Sequence, residues 1–130
     1  MYKKITYSQI KEFLDEKTEL YLSPNFISED PISIPHHFNK KEDIEIAAFL
    51  SATIAWGRRS MILKNAQRMM EIMEYSPHDF VLHASNNEID KSLNFCHRTF
   101  QGVDFQTFIL GLRNIYQNHK GLETCFHTKN

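Results

Sequence analysis

Two adjacent arginines between two helical patterns are the residues of this chain best suited to binding chemistry. The segment Gly57–Ser60 reads Gly-Arg-Arg-Ser, and two further cations follow it at helical spacing. Free N–H groups at a helix start, together with guanidinium groups, suit a phosphate or a carboxylate. The alternative is that these are solvated charges on an amphipathic helix. The hypothesis is a nucleic-acid-binding or anion-binding surface that consists of Arg58, Arg59, Ser60, Lys64 and Arg68.

A histidine and an arginine, His97 and Arg98, form a second candidate group. Both side chains donate hydrogen bonds, and a neutral imidazole also accepts one. Two interpretations stay open for the pair. Either it reaches a ligand cleft, or it hydrogen-bonds the ends of helices.

The histidines and cysteines do not have the spacing of a metal site. His36 and His37 are adjacent in a segment that we expect to be extended, where neighbouring side chains point in opposite directions. Cys96 and Cys125, each followed closely by a histidine, match no zinc-finger spacing. Each cysteine adjoins a phenylalanine, so we expect both to be small core residues. No metal and no cofactor is predicted.

Catalytic motifs are missing from the sequence. There is no P-loop, no dinucleotide-binding glycine pattern, no HExxH and no GxSxG. The acidic residues of the segment 42–45 are interpreted as complements to a helix dipole. Ser51 and Thr53 have no base partner in the pattern, and we expect their hydroxyls to bond to helix carbonyls. The catalytic residues are therefore unknown.

The segment from Asn39 to Arg59 predicts the central helix of a bundle. Asn39 and Glu42 have the spacing of a capping box, and the run Ile46–Trp56 is apolar on nearly every side. Gly57 suits a helix stop, because glycine readily adopts positive φ.

Weaker patterns predict the other elements. A first helix runs from Ser8 to about Leu22, and an extended connector at 26–38 is anchored by Ile32, Ile34 and Phe38. Ser60 is expected to cap the next helix, whose core positions are Met61, Ile62, Ala66, Met69, Met70 and Met73. Short helices start at Ser76-Pro77 and at Ser85, Asp104 caps a helix at 105–118, and Gly121 precedes a last one.

No segment shows the alternation typical of a strand. The predicted fold is all-α, a single compact bundle of about five to seven helices over residues 1–130. The net charge of −1 means that any nucleic-acid binding would depend on a local patch. The longest apolar run is well short of the roughly 20 residues of a membrane span, and the N-terminus lacks a secretory signal pattern. We expect a cytoplasmic protein that does not enter a membrane.

Several segments resemble an uncharacterised bacterial family of conserved hypothetical proteins, common in Bacteroidetes. The similar residues are Asp30-Pro31, Phe38, the run from Asp43 to Arg58, Ser76-Pro77-x-Asp79-Phe80, His97-Arg98 and Gly121-Leu122-Glu123. The resemblance covers most of the chain and corresponds to the amino-terminal half of the family. It implies a helical fold and no assigned reaction.

The second half of that family is distantly similar to helix-hairpin-helix DNA glycosylases. This chain has no glycine-rich hairpin of that kind and no following catalytic segment, so no catalytic residue is transferred to it. The resemblance implies that the missing half would cover part of the central helix, and we therefore predict a homodimer. Three functions stay open: a helical domain that binds DNA or RNA weakly, a catalytically incomplete glycosylase-like protein, and a dimerising interaction module.

Overall fold

A computed structural model describes residues 3–127, and the all-α prediction is confirmed. The α-helices are α1 (Tyr7–Tyr21), α2 (Pro24–Ile27), α3 (Lys41–Thr53), α4 (Arg59–Ile72), α5 (Pro77–His83), α6 (Asn86–Asp90), α7 (Gly102–Asn118) and α8 (Leu122–Phe126). Short 3₁₀ turns lie at Pro31–Ser33, Pro35–His37 and Lys91–Asn94. A two-residue ladder pairs β1 (Cys96–His97) with β2 (Phe100–Gln101).

The hydrophobic core surrounds α3. Ile46, Ala47, Leu50 and Ile54 are buried there, and α3 packs against α4, α5 and both 3₁₀ turns of the 31–37 segment. The longest helix, α7, adds Phe105, Ile109 and Leu112 to the same cluster. Each such side chain contributes roughly 1.5–3 kcal/mol on burial. The predicted central helix is confirmed as the core of the fold.

The ends of α3 differ from the prediction. Its N-cap is Lys40 and makes no side-chain bond, so the capping box at Asn39 is wrong. The helix ends at Thr53, because the Ala55 N–H bonds to the Ala52 carbonyl and tightens the last turn. Trp56 therefore lies outside the helix, and Gly57 follows with φ +108°. Ala48 and Ala52 are exposed, so α3 is not apolar on every side.

Local start signals predicted α5 and α6 correctly. Pro77 is the first residue of α5. Ser85 and Glu88 form a reciprocal capping box at the start of α6. At α4 the predicted cap Ser60 is wrong, since Arg58 is the N-cap and no side chain bonds there. The predicted core of α4 is confirmed except for Met61, which is 46% exposed.

The N-terminal helix α1 forms but buries none of its residues. It begins at a capping box between Thr6 and Gln9, two residues before the predicted cap at Ser8. Its predicted apolar stripe, Ile10, Phe13, Leu14 and Tyr21, is exposed. The amphipathic pattern was therefore sufficient to predict a helix and insufficient to predict its packing.

The segment at 26–38 is not extended. It forms a short helix and two 3₁₀ turns, with Pro24, Pro31 and Pro35 each in the first turn. Proline suits these positions because it has no N–H to satisfy. Of the predicted anchors, Ile34 is buried at 3% exposure, Phe38 is half-buried and Ile32 is exposed.

The expectation of no strands is wrong at the hairpin of β1 and β2. The hairpin leads into α7, which begins at Gly102 rather than after Asp104. Asp104 instead accepts a hydrogen bond of 2.8 Å from the Gln101 N–H at the helix start. Strands of two residues are too short to show an alternating pattern. No helix among residues 3–127 is long and apolar enough to cross a membrane.

Candidate anion-binding groove

The two groups singled out in the sequence meet in one surface. Arg58, at the start of α4, and Arg98, in the turn of the hairpin, line a groove of about 250 Å³. We call it the basic groove. Its full set of lining residues is Arg58, Met61, Asn65, Cys96, His97 and Arg98.

Arg98 is held in place by Trp56 and Gly57. Its backbone adopts φ +54°, and its guanidinium lies 5.2 Å from the centre of the Trp56 ring, a cation–π distance. A Cβ atom at Gly57 would lie only 2.8 Å from Nη1 of Arg98. Gly57 thus permits both the positive φ of the corner and the close passage of the arginine side chain.

His97 is buried beneath the groove, with 2% of its surface exposed. Its Nε2 lies 2.9 Å from the Trp56 carbonyl oxygen, and its Nδ1 lies 2.7 Å from Nδ2 of Asn65. Since a carbonyl oxygen only accepts, Nε2 carries the hydrogen and Nδ1 accepts from the amide of Asn65. Both ring nitrogens are therefore occupied. His97 ties the hairpin to the end of α3 and to α4, while Arg98 faces the groove.

Arg59 lies outside the basic groove. It lines a separate cleft of about 500 Å³, and its guanidinium lies 5.5 Å from the centre of the Phe26 ring. Adjacent residues at the start of a helix point about 100° apart, which separates the two arginines. Ser60 is exposed and lines neither surface.

Lys64 and Arg68 are exposed further along α4. Arg68 lies three residues after Asn65, on the helix face that forms the groove wall. Among residues 3–127 the basic side chains of the ion pairs are Lys11, Lys41 and His83. Within that part of the chain, Arg58, Lys64, Arg68 and Arg98 therefore have no carboxylate partner.

The acidic residues of α3 make tertiary contacts in addition to matching the helix dipole. Asp43 accepts a hydrogen bond of 2.9 Å from the His78 N–H in the first turn of α5. Glu45 accepts one of 2.9 Å from the Tyr116 hydroxyl. Burial, and then this bond to Glu45, raise the pKa of Tyr116. These carboxylates have structural partners away from the groove.

Two further ionic side chains are also occupied by structural contacts. Arg113 donates to the carbonyl oxygens of Val81 at 2.6 Å and of Ala84 at 2.8 Å, which closes the end of α5. Lys41 pairs with Glu123, and their hydrogen bond raises the pKa of the lysine and lowers that of the carboxyl. The sequence provided no signal for either contact, because the partners are distant along the chain.

The prediction that the cysteines belong to the core is wrong. Cys96 and Cys125 are both exposed, and Cys96 Sγ lies 3.6 Å from the Arg98 carbonyl oxygen. Strand alternation turns Cys96 outward and His97 inward. The part of the chain that the structure describes has no group of three or more histidine, cysteine or acidic side chains placed to hold a metal.

Two residues that position the side chains of the groove were missed at the sequence level. Asn65 fixes the imidazole of His97, and Trp56 carries the guanidinium of Arg98. Asn65 had a usable signal, since Arg58, Met61 and Asn65 recur at spacings of three and four and share one face of a helix. Trp56 had none, because its role depends on the hairpin that lies across it.

The fold and the groove together define a mostly helical protein with a basic surface at a helix corner, and within the described part of the chain that surface has no ion-pair partner. The chain belongs to the family described as "Protein of unknown function (DUF2400)", whose model matches residues 30–130. The predicted membership of an uncharacterised family is confirmed. No curated protein and no solved structure matches the chain. The similarity to DNA glycosylases and the occurrence in Bacteroidetes stay predictions.

Proposed function

We propose that the basic groove binds the phosphate backbone of single-stranded nucleic acid. The observation that carries the proposal is the convergence of Arg58 and Arg98, from two distant segments, without a carboxylate partner among the described residues. Guanidinium groups bind phosphate oxygens through paired, charge-assisted hydrogen bonds. Lys64 and Arg68 extend the positive surface along α4.

The indole of Trp56 favours a single strand over a duplex. Trp56 is 38% exposed, and the centre of its ring lies 5.2 Å from the guanidinium of Arg98. Proteins that bind single strands combine a basic groove with aromatic rings on which bases stack. A groove of about 250 Å³ accommodates only a short stretch of backbone. The expected affinity is therefore low and strongly dependent on salt.

Fluorescence anisotropy with labelled single-stranded and duplex oligonucleotides tests the proposal. For three or four phosphate contacts, the slope of log affinity against log salt is expected to be roughly −2 to −3 on a single strand. Arg58→Ala/Arg98→Ala should abolish most of the binding. Lys11→Ala/Lys17→Ala removes the same charge from α1 and serves as the matched control.

Two results would reject this function. Binding that is absent even at low salt would exclude the groove as a phosphate site. An equal loss in both double variants would show attraction by overall charge and no role for the groove. A screen against damaged bases, which the glycosylase-like hypothesis suggests, becomes useful only after binding has been found.

The exposed stripe of α1 supports a second function, self-association. The predicted dimer was attributed to an uncovered central helix, but α3 already packs against α4, α5 and the 3₁₀ turns, and its exposed positions include small side chains such as Ala48 and Ala52. Exposed large apolar side chains are concentrated on α1, where they include Ile10, Phe13 and Leu14. We propose that two copies pair through this helix.

Light scattering over a wide concentration range tests the self-association. The wild type should approach twice the monomer mass as concentration rises, and Phe13→Ser/Leu14→Ser should remain monomeric. Ile44→Ser, at an exposed apolar position on α3, is the matched control. A wild type that stays monomeric throughout contradicts the dimer.

A further inference from the structure

A cleft separate from the basic groove is lined by Ser51 and by a largely apolar wall. It lies between the two 3₁₀ turns of the 31–37 segment, one face of α3 and the start of α4, and its volume is about 500 Å³. We call it the proline cleft, after Pro31 and Pro35 in its wall. Small-molecule sites in proteins have volumes of about 300–1,000 Å³.

Ser51 lines the cleft with 2% of its surface exposed. Its Oγ has no hydrogen-bond partner among residues 3–127. Thr53, on the same helix, makes the expected bond to the Phe49 carbonyl at 2.7 Å. The corresponding expectation for Ser51 is wrong. The Oγ has almost no accessible surface, so it lies behind the wall of the cleft, where an unpaired hydroxyl destabilises the fold.

The cleft has one cation at its edge and mostly apolar walls. Arg59 lines it and is held by the ring of Phe26. Asp30 also lines it, with Oδ1 accepting a hydrogen bond of 3.0 Å from the Ile32 N–H. The apolar wall includes Ile32, Pro35, Ala48, Ala52, Ala55 and Ile62.

We propose that the proline cleft binds a small carboxylic acid with an apolar chain. The carboxylate would pair with Arg59, and the apolar chain would cover the alanines of α3. A single guanidinium suits one negative charge. The carboxylate of Asp30 on the same cleft disfavours a doubly charged phosphate.

Titration with hexanoate, followed by amide NMR shifts, tests the site on the wild-type chain. The shifts should saturate and centre on Ser51, Ala52 and Gly57. Hexanamide, which has the same chain and no charge, should bind about tenfold more weakly, the size of a lost charge-assisted hydrogen bond.

Three variants and one control locate the site. Arg59→Gln should weaken hexanoate binding about tenfold, since it removes the charged partner. Ala52→Leu should block hexanoate binding by filling the cleft without changing any charge, whereas Ser51→Ala should change it little, because the Ser51 Oγ has almost no accessible surface. Arg58→Gln, one residue away and lining the basic groove, should leave it unchanged. That control separates this site from the proposed nucleic-acid surface.

A parallel titration with norleucine distinguishes two classes of carboxylic acid, amino acids and simple fatty acids. It has the hexanoate chain with an added ammonium group, which Asp30 would attract. Tighter binding than hexanoate supports the site and indicates an amino acid, whereas weaker binding supports it and indicates a simple fatty acid. The inference is overturned if neither compound saturates, or if Arg59→Gln and Ala52→Leu bind hexanoate like the wild type.

Discussion

The basic groove and the proline cleft share Gly57 as a neighbour but are supported by different kinds of contact. The groove depends on contacts between distant segments: His97 bonds to Trp56 and Asn65, and Arg98 lies across Trp56. The cleft is a face of α3, with positions three and four apart, covered by local 3₁₀ turns. A single substitution beneath the groove should therefore abolish ligand binding there. The same substitution should leave ligand binding in the cleft intact.

The largest effect is expected for His97→Ala. The change removes a buried ring and leaves the Trp56 carbonyl and the Asn65 amide without their partner, so the free energy of unfolding should fall by about 3 kcal/mol. Urea denaturation measures it. Oligonucleotide binding should be lost with the position of Arg98, while hexanoate binding persists under folding conditions. A loss below about 1 kcal/mol would contradict the support assigned to His97.

Gly57→Ala should have the next largest effect and lower the free energy of unfolding by about 2 kcal/mol. The residue would be strained at φ +108°, and its Cβ would press on the Arg98 guanidinium. The strain at positive φ and the clash with Arg98 both contribute to this loss of stability. Adding Arg98→Ala to the Gly57→Ala variant should therefore restore the part of the stability that the clash removes. If the double variant is as unstable as the sum of the single variants, the two residues do not interact.

Tyr116→Phe provides a reference outside both surfaces. Loss of the hydrogen bond to Glu45 should lower stability by about 1 kcal/mol at neutral pH without affecting either ligand. The pKa of Tyr116 is raised above its ordinary value of 10.0, so the folded protein holds this proton more tightly than the unfolded chain. The difference in free energy of unfolding between the wild type and Tyr116→Phe should therefore be constant below about pH 10 and decline above it. An advantage that grows at high pH would contradict this.

The smallest effect, of opposite sign, is expected for Ser51→Ala. Removing an unpaired buried hydroxyl should raise the free energy of unfolding by about 0.5–1 kcal/mol, because alanine loses no hydrogen bond there. Thermal denaturation without ligand measures it, and Thr53→Val, which removes a made bond, is the matched control. Destabilisation by Ser51→Ala would show that its hydroxyl has a partner within the protein.

Several parts of the fold could be predicted because their causes are local. The predicted features were Pro77 at a helix start, the Ser85 and Glu88 pair, and the buried Met69 and Met70 of α4. Each depends on residues within a turn or two of one another. A periodic pattern also predicted α1. It did not predict burial, since the same stripe is compatible with a covered or an exposed helix.

The site was only partly predictable. Arg58 and Arg98 were both singled out, but nothing in their spacing indicated that they would meet. The pair Arg58 and Arg59 was interpreted as one surface, although a helix start turns the two side chains towards different cavities. Cys96 was expected in the core but is exposed, because a short strand points Cys96 outward and the next residue, His97, inward.

By itself, the sequence determined the all-α class, the buried centre of α3 and the presence of a basic corner beside a glycine, since helix propensity, apolar spacing and charge are properties of short segments. The tertiary structure alone decided which charges stand unpaired, which histidine is buried and which hydroxyl lacks a partner. Those outcomes depend on distances between segments that are far apart in the chain. Tertiary packing determines these distances, and no local sequence pattern predicts them.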